Sequence, residues 1–271
     1  MLKITDQEFE QLTSYIRNQY GIKLGPEKRT LVTGRLGSTL EKKGFGSFSE
    51  YYQHLVKDES GESVFELLNK ITTNHTYFMR EAAHFRHFQE EVLPWVRGIS
   101  KEHDVRVWSA GCSRGQEPYT LAMIMQDYFG SEKGRWNTEI LATDISAQAL
   151  AAAAEGSYAA EEVAPLPERW RKVHFQKIEN ERYQIKPALK KELIFRSFNL
   201  MNDRFPFKKP FHVIFCRNVM IYFDAPTKTQ LVKRYYNHLA PGGYLYIGHS
   251  ESLGRDNAGF RYIQPAVYRK E

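Results

Sequence analysis

Asp104-Val-Arg-Val-Trp-Ser-Ala-Gly-Cys-Ser-Arg-Gly-Gln-Glu-Pro118 reads as a buried strand, a turn of small residues and the start of a helix. A strand feeding a helix through such a turn is the nucleotide-cradling corner of a doubly wound α/β fold. Gly111 and Gly115 stand where backbone must approach a ligand closely, and the N–H groups that open the helix can bind a carboxylate or phosphate. The Gly-x-x-x-Gly spacing lacks the Lys-Ser/Thr of a phosphate-binding P-loop. Glu117, just inside the helix, is either an acid favoured by the helix dipole or a ligand for an ammonium group.

Downstream, the apolar runs Ile140–Ala142, Leu193–Phe195, Val213–Cys216 and Tyr244–Ile247 alternate with helical segments, the βα pattern of a parallel sheet. Phe260-Arg-Tyr-Ile and Ala266-Val-Tyr-Arg predict antiparallel closing strands. Asp144 ends the second strand, where such folds grip ribose hydroxyls, and a carboxylate can accept two hydrogen bonds from a diol. It could equally cap the helix beginning at Ser146. Arg217 and Asn218 follow a central strand and line the expected crevice. Phe198-Asn199-Leu200 could flank an adenine. Leu239-Ala-Pro-Gly-Gly-Tyr-Leu reads as a helix end, a turn and a strand, a sequence commoner in S-adenosylmethionine (SAM) enzymes than in NAD enzymes. The predicted fold is α/β, a Rossmann-like class I SAM methyltransferase domain with a mostly parallel sheet and helices on both faces.

Residues 1–72 predict a small all-α N-terminal domain. Thr5-Asp-Gln-Glu8 and Ser47-Phe-Ser-Glu50 are capping-box patterns ahead of apolar periodic runs. Residues 73–100 form a linker and a connecting helix through Val92 that contributes to the cofactor site, and 101–271 form the SAM domain. Two alternating runs around Glu179-Asn-Glu181 predict an inserted antiparallel β-subdomain at about 169–196, with nine Lys/Arg against three Glu. No apolar run reaches membrane-spanning length, the N-terminus lacks a signal-peptide pattern, and only Cys112 and Cys216 are present. A cytoplasmic chain without disulfides is expected. The net charge of +6 suits an acidic partner, whether nucleic acid, an anionic membrane surface or an acidic protein, or simply a mildly basic soluble protein.

The chain resembles the CheR family of chemotaxis receptor methyltransferases along almost its whole length. The resemblance is carried by Thr72-Thr-Asn-His-Thr-Tyr-Phe-Met-Arg80-Glu, Trp108–Tyr119, Ala142-Thr-Asp144-Ile, Phe215-Cys-Arg-Asn-Val-Met-Ile-Tyr-Phe223 and Gly248-His-Ser-Glu251. It implies a SAM-dependent protein-glutamate O-methyltransferase that acts on the methylation helices of chemoreceptors and yields S-adenosylhomocysteine (SAH). By matching position, Asn74, Thr76, Arg80, Glu117, Asp144, Asn199, Leu200, Arg217 and Asn218 would contact SAM, alongside Gly111 of the turn. Arg80 and Tyr222 would stand closest to methyl transfer. Gln116 departs from the family's usual Glu. The hairpin turn is short and glycine-poor, whereas the family's longer loop goes with docking of a receptor C-terminal pentapeptide, so weak or no pentapeptide binding is expected.

Transfer of a methyl from sulfonium to a carboxylate is an in-line displacement. A glutamate is already ionised at neutral pH, so no general base is required and the enzyme's task is positioning. Lys28, Arg29, Arg35, Lys42 and Lys43 make the second helix basic, and Lys28, Arg35 and Lys42 recur on one face. That face is the expected docking surface for an acidic receptor helix, with the basic hairpin as a second contact. His84 and His87 have a spacing that could ligate a metal, but no further ligand cluster accompanies them, and no metal is expected. Cys112 and Cys216 read as packing residues. A monomer without membrane insertion is expected. The competing functions are a SAM- or SAH-binding adaptor, a small-molecule carboxyl methyltransferase and a methyltransferase acting on another macromolecule. A nucleic-acid substrate is disfavoured, because Arg217-Asn-Val-Met-Ile-Tyr222 lacks the paired prolines of nucleic-acid N-methylating enzymes.

Overall fold

The computed structural model describes residues 2–58, 62–71, 76–254 and 259–271. The chain divides into two compact units. One holds the helices of residues 2–71 together with Tyr222–Thr227, and the other holds Thr76–Ile221 and Lys228–Glu271.

The helical unit contains α1 (Asp6–Tyr20), α2 (Arg29–Lys42), α3 (Phe48–Lys57) and α4 (Glu62–Ile71). The Thr5 hydroxyl accepts from Glu8 N–H, and Glu8 accepts from Thr5 N–H in return, completing the predicted capping box. Such a cap is worth about 1 kcal/mol. Pro26–Lys28 forms a 3-10 turn that leads into α2. Leu12, Ile16, Val32, Leu36, Leu40 and Leu55 fill the interior. Ile22 bridges Phe223, and the Lys23 N–H donates to the Tyr222 carbonyl at 2.8 Å.

The larger unit begins with α5 (Ala82–His87), a π-helical stretch over Phe88–Val92 and α6 (Leu93–Ile99). The helix therefore continues past Val92, where the sequence suggests a stop. The wide turn lets Leu93 N–H donate to the Phe88 carbonyl, and Pro94, which has no N–H to give, directly follows this locally altered hydrogen-bond ladder. Then come β1 (Val107–Ala110), α7 (Gln116–Phe129), β2 (Ile140–Asp144), α8 (Ala147–Glu155), β3 (Ser157–Ala159), α9 (Ala160–Val163), α10 (Glu168–His174), β4 (Phe175–Ile178), β5 (Arg182–Ile185), α11 (Pro187–Lys190), β6 (Leu193–Ser197), β7 (Phe211–Cys216), α12 (Ala225–His238), β8 (Leu239–Ile247), β9 (Phe260–Gln264) and β10 (Val267–Lys270).

The main sheet runs β6-β2-β1-β7-β8-β10-β9. Its first five strands are parallel, and β10 lies antiparallel to both β8 and β9. Every residue of β1 and β7 is buried, as a sheet covered on both faces requires. Phe215 of β7 and Tyr246 of β8 stack with ring centroids 4.2 Å apart. The turn expected inside Leu239–Leu245 is absorbed into β8 as an irregularity: Phe211 pairs Leu239 but Val213 pairs Tyr244. The strand order reverses between β1 and β7, and a ligand crevice opens at such a switch point.

A second sheet, β3-β5-β4, is antiparallel. It takes in Ser157–Ala159, which lies before the hairpin read from the sequence, while Leu193–Ser197 belongs to the main sheet. Three residues with no alternating pattern of their own gave β3 no signal; its pairing with β5 makes it a strand. No helix among the described residues is long and apolar enough to cross a membrane.

Candidate functional site

The turn after β1 is wound through the left-handed region three times, at Gly111 (φ +93°), Ser113 (φ +49°) and Gly115 (φ +90°). Gly111 and Cys112 donate their N–H groups to the Thr143 carbonyl at 2.8 and 2.9 Å. A Cβ on Gly111 would lie 2.5 Å from Val219 Cγ2, so both the backbone angle and the space require glycine. This winding turns Ser113 N–H onto Asp144 Oδ2 at 2.8 Å.

Asp144 ends β2, half-buried. Its Oδ1 accepts from Ser146 N–H at 3.0 Å. Burial pushes its carboxyl up; backbone N–H groups of Ser113, Ser146 and Ile145 pull it down, and the net direction is up. Asp144 is not the cap of α8. Ser146 is, accepting from Ala149 N–H at 2.6 Å. Asp144 is thus held by backbone donors with both its oxygens as acceptors, the chemistry that recognition of a diol uses. Phe198 N–H donates to the Asp144 carbonyl at 3.0 Å and brings the 198–201 loop alongside. Within that loop Asn199 Oδ1 accepts from Met201 N–H at 2.9 Å, and Leu200 is buried.

Glu117, in the first turn of α7, accepts from the Ser109 hydroxyl at 2.7 Å. Burial pushes its carboxyl up, against the opposing pull of Arg217, Ser109 and Arg80, and the net direction is up. Arg217 Nε stands 3.4 Å from both Glu117 Oε2 and Glu81 Oε2. Its guanidinium lies 5.0 Å from the Phe85 ring centroid and donates to the Arg80 carbonyl. Arg217 Nη1 is buried with no hydrogen-bond partner among the described residues, a donor suited to a bound carboxylate.

Glu81 is a member of this site that sequence reasoning did not single out, although it follows Arg80 in a motif that carries the resemblance. It sits at φ +57°, and its Oε1 accepts from Asn218 Nδ2 at 3.3 Å and His249 N–H at 3.2 Å. Burial raises its carboxyl, but Arg217 and these donors outweigh burial and the net direction is down. Glu251, quoted in the Gly248–Glu251 motif but given no role by the sequence, joins it. It is buried and accepts from the backbone of Asn218, Ile221 and Gly248.

The segments that follow β1, β2 and β7 thus carry Gly111, Glu117, Asp144, Arg217 and Asn218 at the switch point, with the Arg80 carbonyl on Arg217 and the Arg80 charge felt by Glu117. Thr76 is half-buried, and Asn74 lies outside the described residues. Tyr222 groups with the helical unit. Gln116 turns away from the crevice: its Nε2 donates to Glu162 Oε1 at 3.3 Å.

His84 and His87 do not form a pair. His87 Nδ1 meets the Tyr246 hydroxyl at 2.6 Å, while His84 faces Glu81 and His249. Glu81, His84 and His249 bring ligand atoms within 4.8 Å of one another. The Arg217 charge already on Glu81 opposes a divalent cation there. Burial and Arg217 lower His84 to about 4, so it is neutral at physiological pH. Cys112 and Cys216 are fully buried thiols pushed up by burial, which suits packing and not nucleophilic attack.

In the helical unit, Lys28, Arg35, Lys42 and Lys43 are exposed and Arg29 is half-buried. Arg29 pairs with Asp6, Lys43 pairs with Glu66, and Arg35 donates to the Lys70 carbonyl at 3.0 Å.

Residues 74–268 match the family model for the CheR methyltransferase SAM binding domain, and residues 7–72 match that for the CheR methyltransferase all-alpha domain. A chemotaxis protein methyltransferase of Borreliella burgdorferi is 41% identical over 99% of this chain and 96% of its own. A probable chemotaxis protein methyltransferase of Rhizobium etli is 35% identical over 94% of this chain and 99% of its own. The chemotaxis protein methyltransferase of Escherichia coli is 33% identical over 98% and 92%.

Proposed function

Because this chain belongs to the CheR family of SAM-dependent chemotaxis methyltransferases, we propose that it methylates glutamate side chains on the cytoplasmic methylation helices of chemoreceptors, giving glutamate methyl esters and SAH. The observation that carries this reading is the group at the strand switch point: two partly buried carboxylates, Glu117 and Asp144, and the Arg217 guanidinium, whose Nη1 has no hydrogen-bond partner among the described residues.

SAM fits this donor set, and when bound it supplies an electrophilic methyl on a sulfonium. Asp144 accepts from the ribose hydroxyls, Glu117 faces the ammonium group, and Arg217 Nη1 meets the carboxylate. Gly111 keeps the β1 turn free of a side chain. Thr76, Asn199, Leu200 and Asn218 border the cofactor, and so does Asn74 by its place in the motif. Arg80 and Tyr222 orient the substrate glutamate. That carboxylate is ionised at neutral pH, with a reference pKa of about 4.3, so no group has to remove a proton. Orientation of the two reactants does the catalysis.

The exposed cations Lys28, Arg35 and Lys42, with Arg29 and Lys43 beside them, support docking of a glutamate-rich receptor helix on α2. The loop between β4 and β5 is only Glu179-Asn180-Glu181, which favours an enzyme that does not rely on a receptor pentapeptide. We read it as a cytoplasmic monomer.

The test is transfer of labelled methyl from SAM to a chemoreceptor cytoplasmic fragment, with Arg80→Ala and Tyr222→Phe alongside. Base-labile label on receptor glutamates, sharply reduced in both variants, is expected. SAM binding without label on an intact receptor fragment would replace this reading with a SAM-sensing adaptor.

A further inference from the structure

Glu251 is a buried acid, and its hydrogen-bond partners among the described residues are backbone amides. Its Oε2 accepts from Asn218 N–H at 3.0 Å and from Gly248 N–H, and its Oε1 accepts from Ile221 N–H at 3.0 Å. The Met220 amide also bears on the carboxylate. These donors come from two separate segments: the turn that follows β7 and the turn that follows β8. Asn218 sits at φ +59°, in the left-handed region that asparagine enters more readily than most residues. Gly248 closes on the same residue from the other side; a Cβ there would lie 2.3 Å from Asn218 Nδ2 and 2.8 Å from its backbone nitrogen.

We infer that Glu251 is a positioning residue for the cofactor end of the site: its carboxylate fixes the left-handed turn that carries Arg217 and Asn218. Arg217 lies between the last residue of β7 and the anchored Asn218. With both flanks held, its Nε can stand midway between Glu81 and Glu117. Glu81 then secures the Asn218 side chain, while Glu251 secures the Asn218 backbone. A glutamine could put its oxygen in the Oε2 place, but its amide nitrogen would point donors at the Ile221 N–H. That half of the anchor is lost, and a buried donor is left unpaired.

The inference rests on the proposed role of Arg217 and Asn218 in holding SAM, so the test separates the two. SAH affinity by calorimetry, together with KM for SAM and KM for a receptor fragment, is measured on the full chain for wild type, Glu251→Gln, Gly248→Ala, Arg217→Ala and Asn218→Ala. Glu251→Gln is expected to weaken SAH binding and raise KM for SAM roughly tenfold, leaving KM for the receptor fragment unchanged. Gly248→Ala, which alters no charge and presses on the same turn, should give the same split, and it carries the test if Glu251→Gln does not fold. Wild-type SAH affinity in Glu251→Gln or Gly248→Ala, with affinity lost in Arg217→Ala, would overturn the inference and leave the cofactor assignment standing. Wild-type affinity in Arg217→Ala and Asn218→Ala would remove that assignment, and the inference with it.

Discussion

Arg217 Nε and Glu117 Oε2 lie 3.4 Å apart inside the crevice, and Arg217 stands equally close to Glu81. One guanidinium therefore holds two largely buried carboxylates. Arg217→Ala strands both, and breaking a buried pair in this way costs about 3–5 kcal/mol. The loss should depend on pH. Burial already raises the Glu117 carboxyl, and removing the cation raises it further. The native state then binds more protons than the unfolded state above the ordinary carboxylate range, so stability falls as pH rises through that window. Urea unfolding should show a deficit that is large at pH 7.5 and smaller at pH 4.5. An equal deficit at both would contradict this account.

Two buried histidines set an opposite trend. His84, facing Glu81, Arg217 and His249, and His212, facing Arg106 and Asp104, are both lowered from 6.5 to about 4, chiefly by burial. Between those values the unfolded chain binds protons that the native chain does not. Stability is full above pH 6.5 and falls as pH drops toward 4, by up to about 3 kcal/mol per histidine. His84→Gln should flatten the fall in unfolding free energy between pH 7 and 4.5, and an unchanged slope would show that His84 does not contribute.

The β1 turn tolerates no side chain at Gly111. Gly111→Ala meets Val219 Cγ2 at 2.5 Å and also adopts φ +93°. A loss of more than about 1 kcal/mol is expected, together with weaker SAH binding. Val219→Ala in the same chain should recover only part of the loss, because it relieves the contact and not the backbone angle. Full recovery would assign the whole cost to the contact.

Asp144→Asn keeps the shape of the side chain but removes its charge and one acceptor oxygen. SAH affinity should drop tenfold or more, since hydrogen bonds to a charged group contribute about 1.5–3 kcal/mol. Helix α8 should be unaffected, because its cap is Ser146. Calorimetry with far-ultraviolet circular dichroism reads both, and unchanged affinity would remove Asp144 from the site.

For the basic helix, Lys28→Glu with Lys42→Glu should raise KM for the receptor fragment several-fold and leave SAH affinity unchanged. The difference from wild type should shrink at 0.5 M salt, where the screening length is only about 4 Å. A salt-independent change would point away from electrostatic docking.

Much of this was legible in the chain because the strong signals are local. The Gly111–Gly115 turn, the acid ending β2 and the capping residues Thr5 and Ser47 are each dictated by backbone chemistry within a few residues. Whether Asp144 caps the following helix was not legible, since a cap and a ligand-facing acid stand at the same position in sequence; the Ser146–Ala149 contact shows that Ser146 is the cap. Glu81 and Glu251 lie in motifs quoted from the sequence, but their places in the site were not legible there for a related reason. Glu81 meets Arg217, Asn218 and His249, all far away in sequence, and Glu251 meets Asn218 and Ile221 as well as nearby Gly248; no periodicity records the distant contacts. Strand β3 is a strand through its pairing with β5, which no local pattern announces.

The π stretch at Phe88–Val92 has a bearing on the whole segment before it. It accommodates one residue more than an α-helix would, so α5 and α6 are out of phase with each other. Deleting a single residue between 88 and 92 would restore an even helix and rotate α5 by about 100° relative to α6. Phe85 would swing off the Phe215 ring beneath it, His84 would leave Tyr246, and Glu81 would turn away from Arg217. The extra residue acts as a phase shifter: it lets one helix serve the sheet along α6 and the crevice along α5, and the chain length across those five positions is as fixed as any side chain in the site.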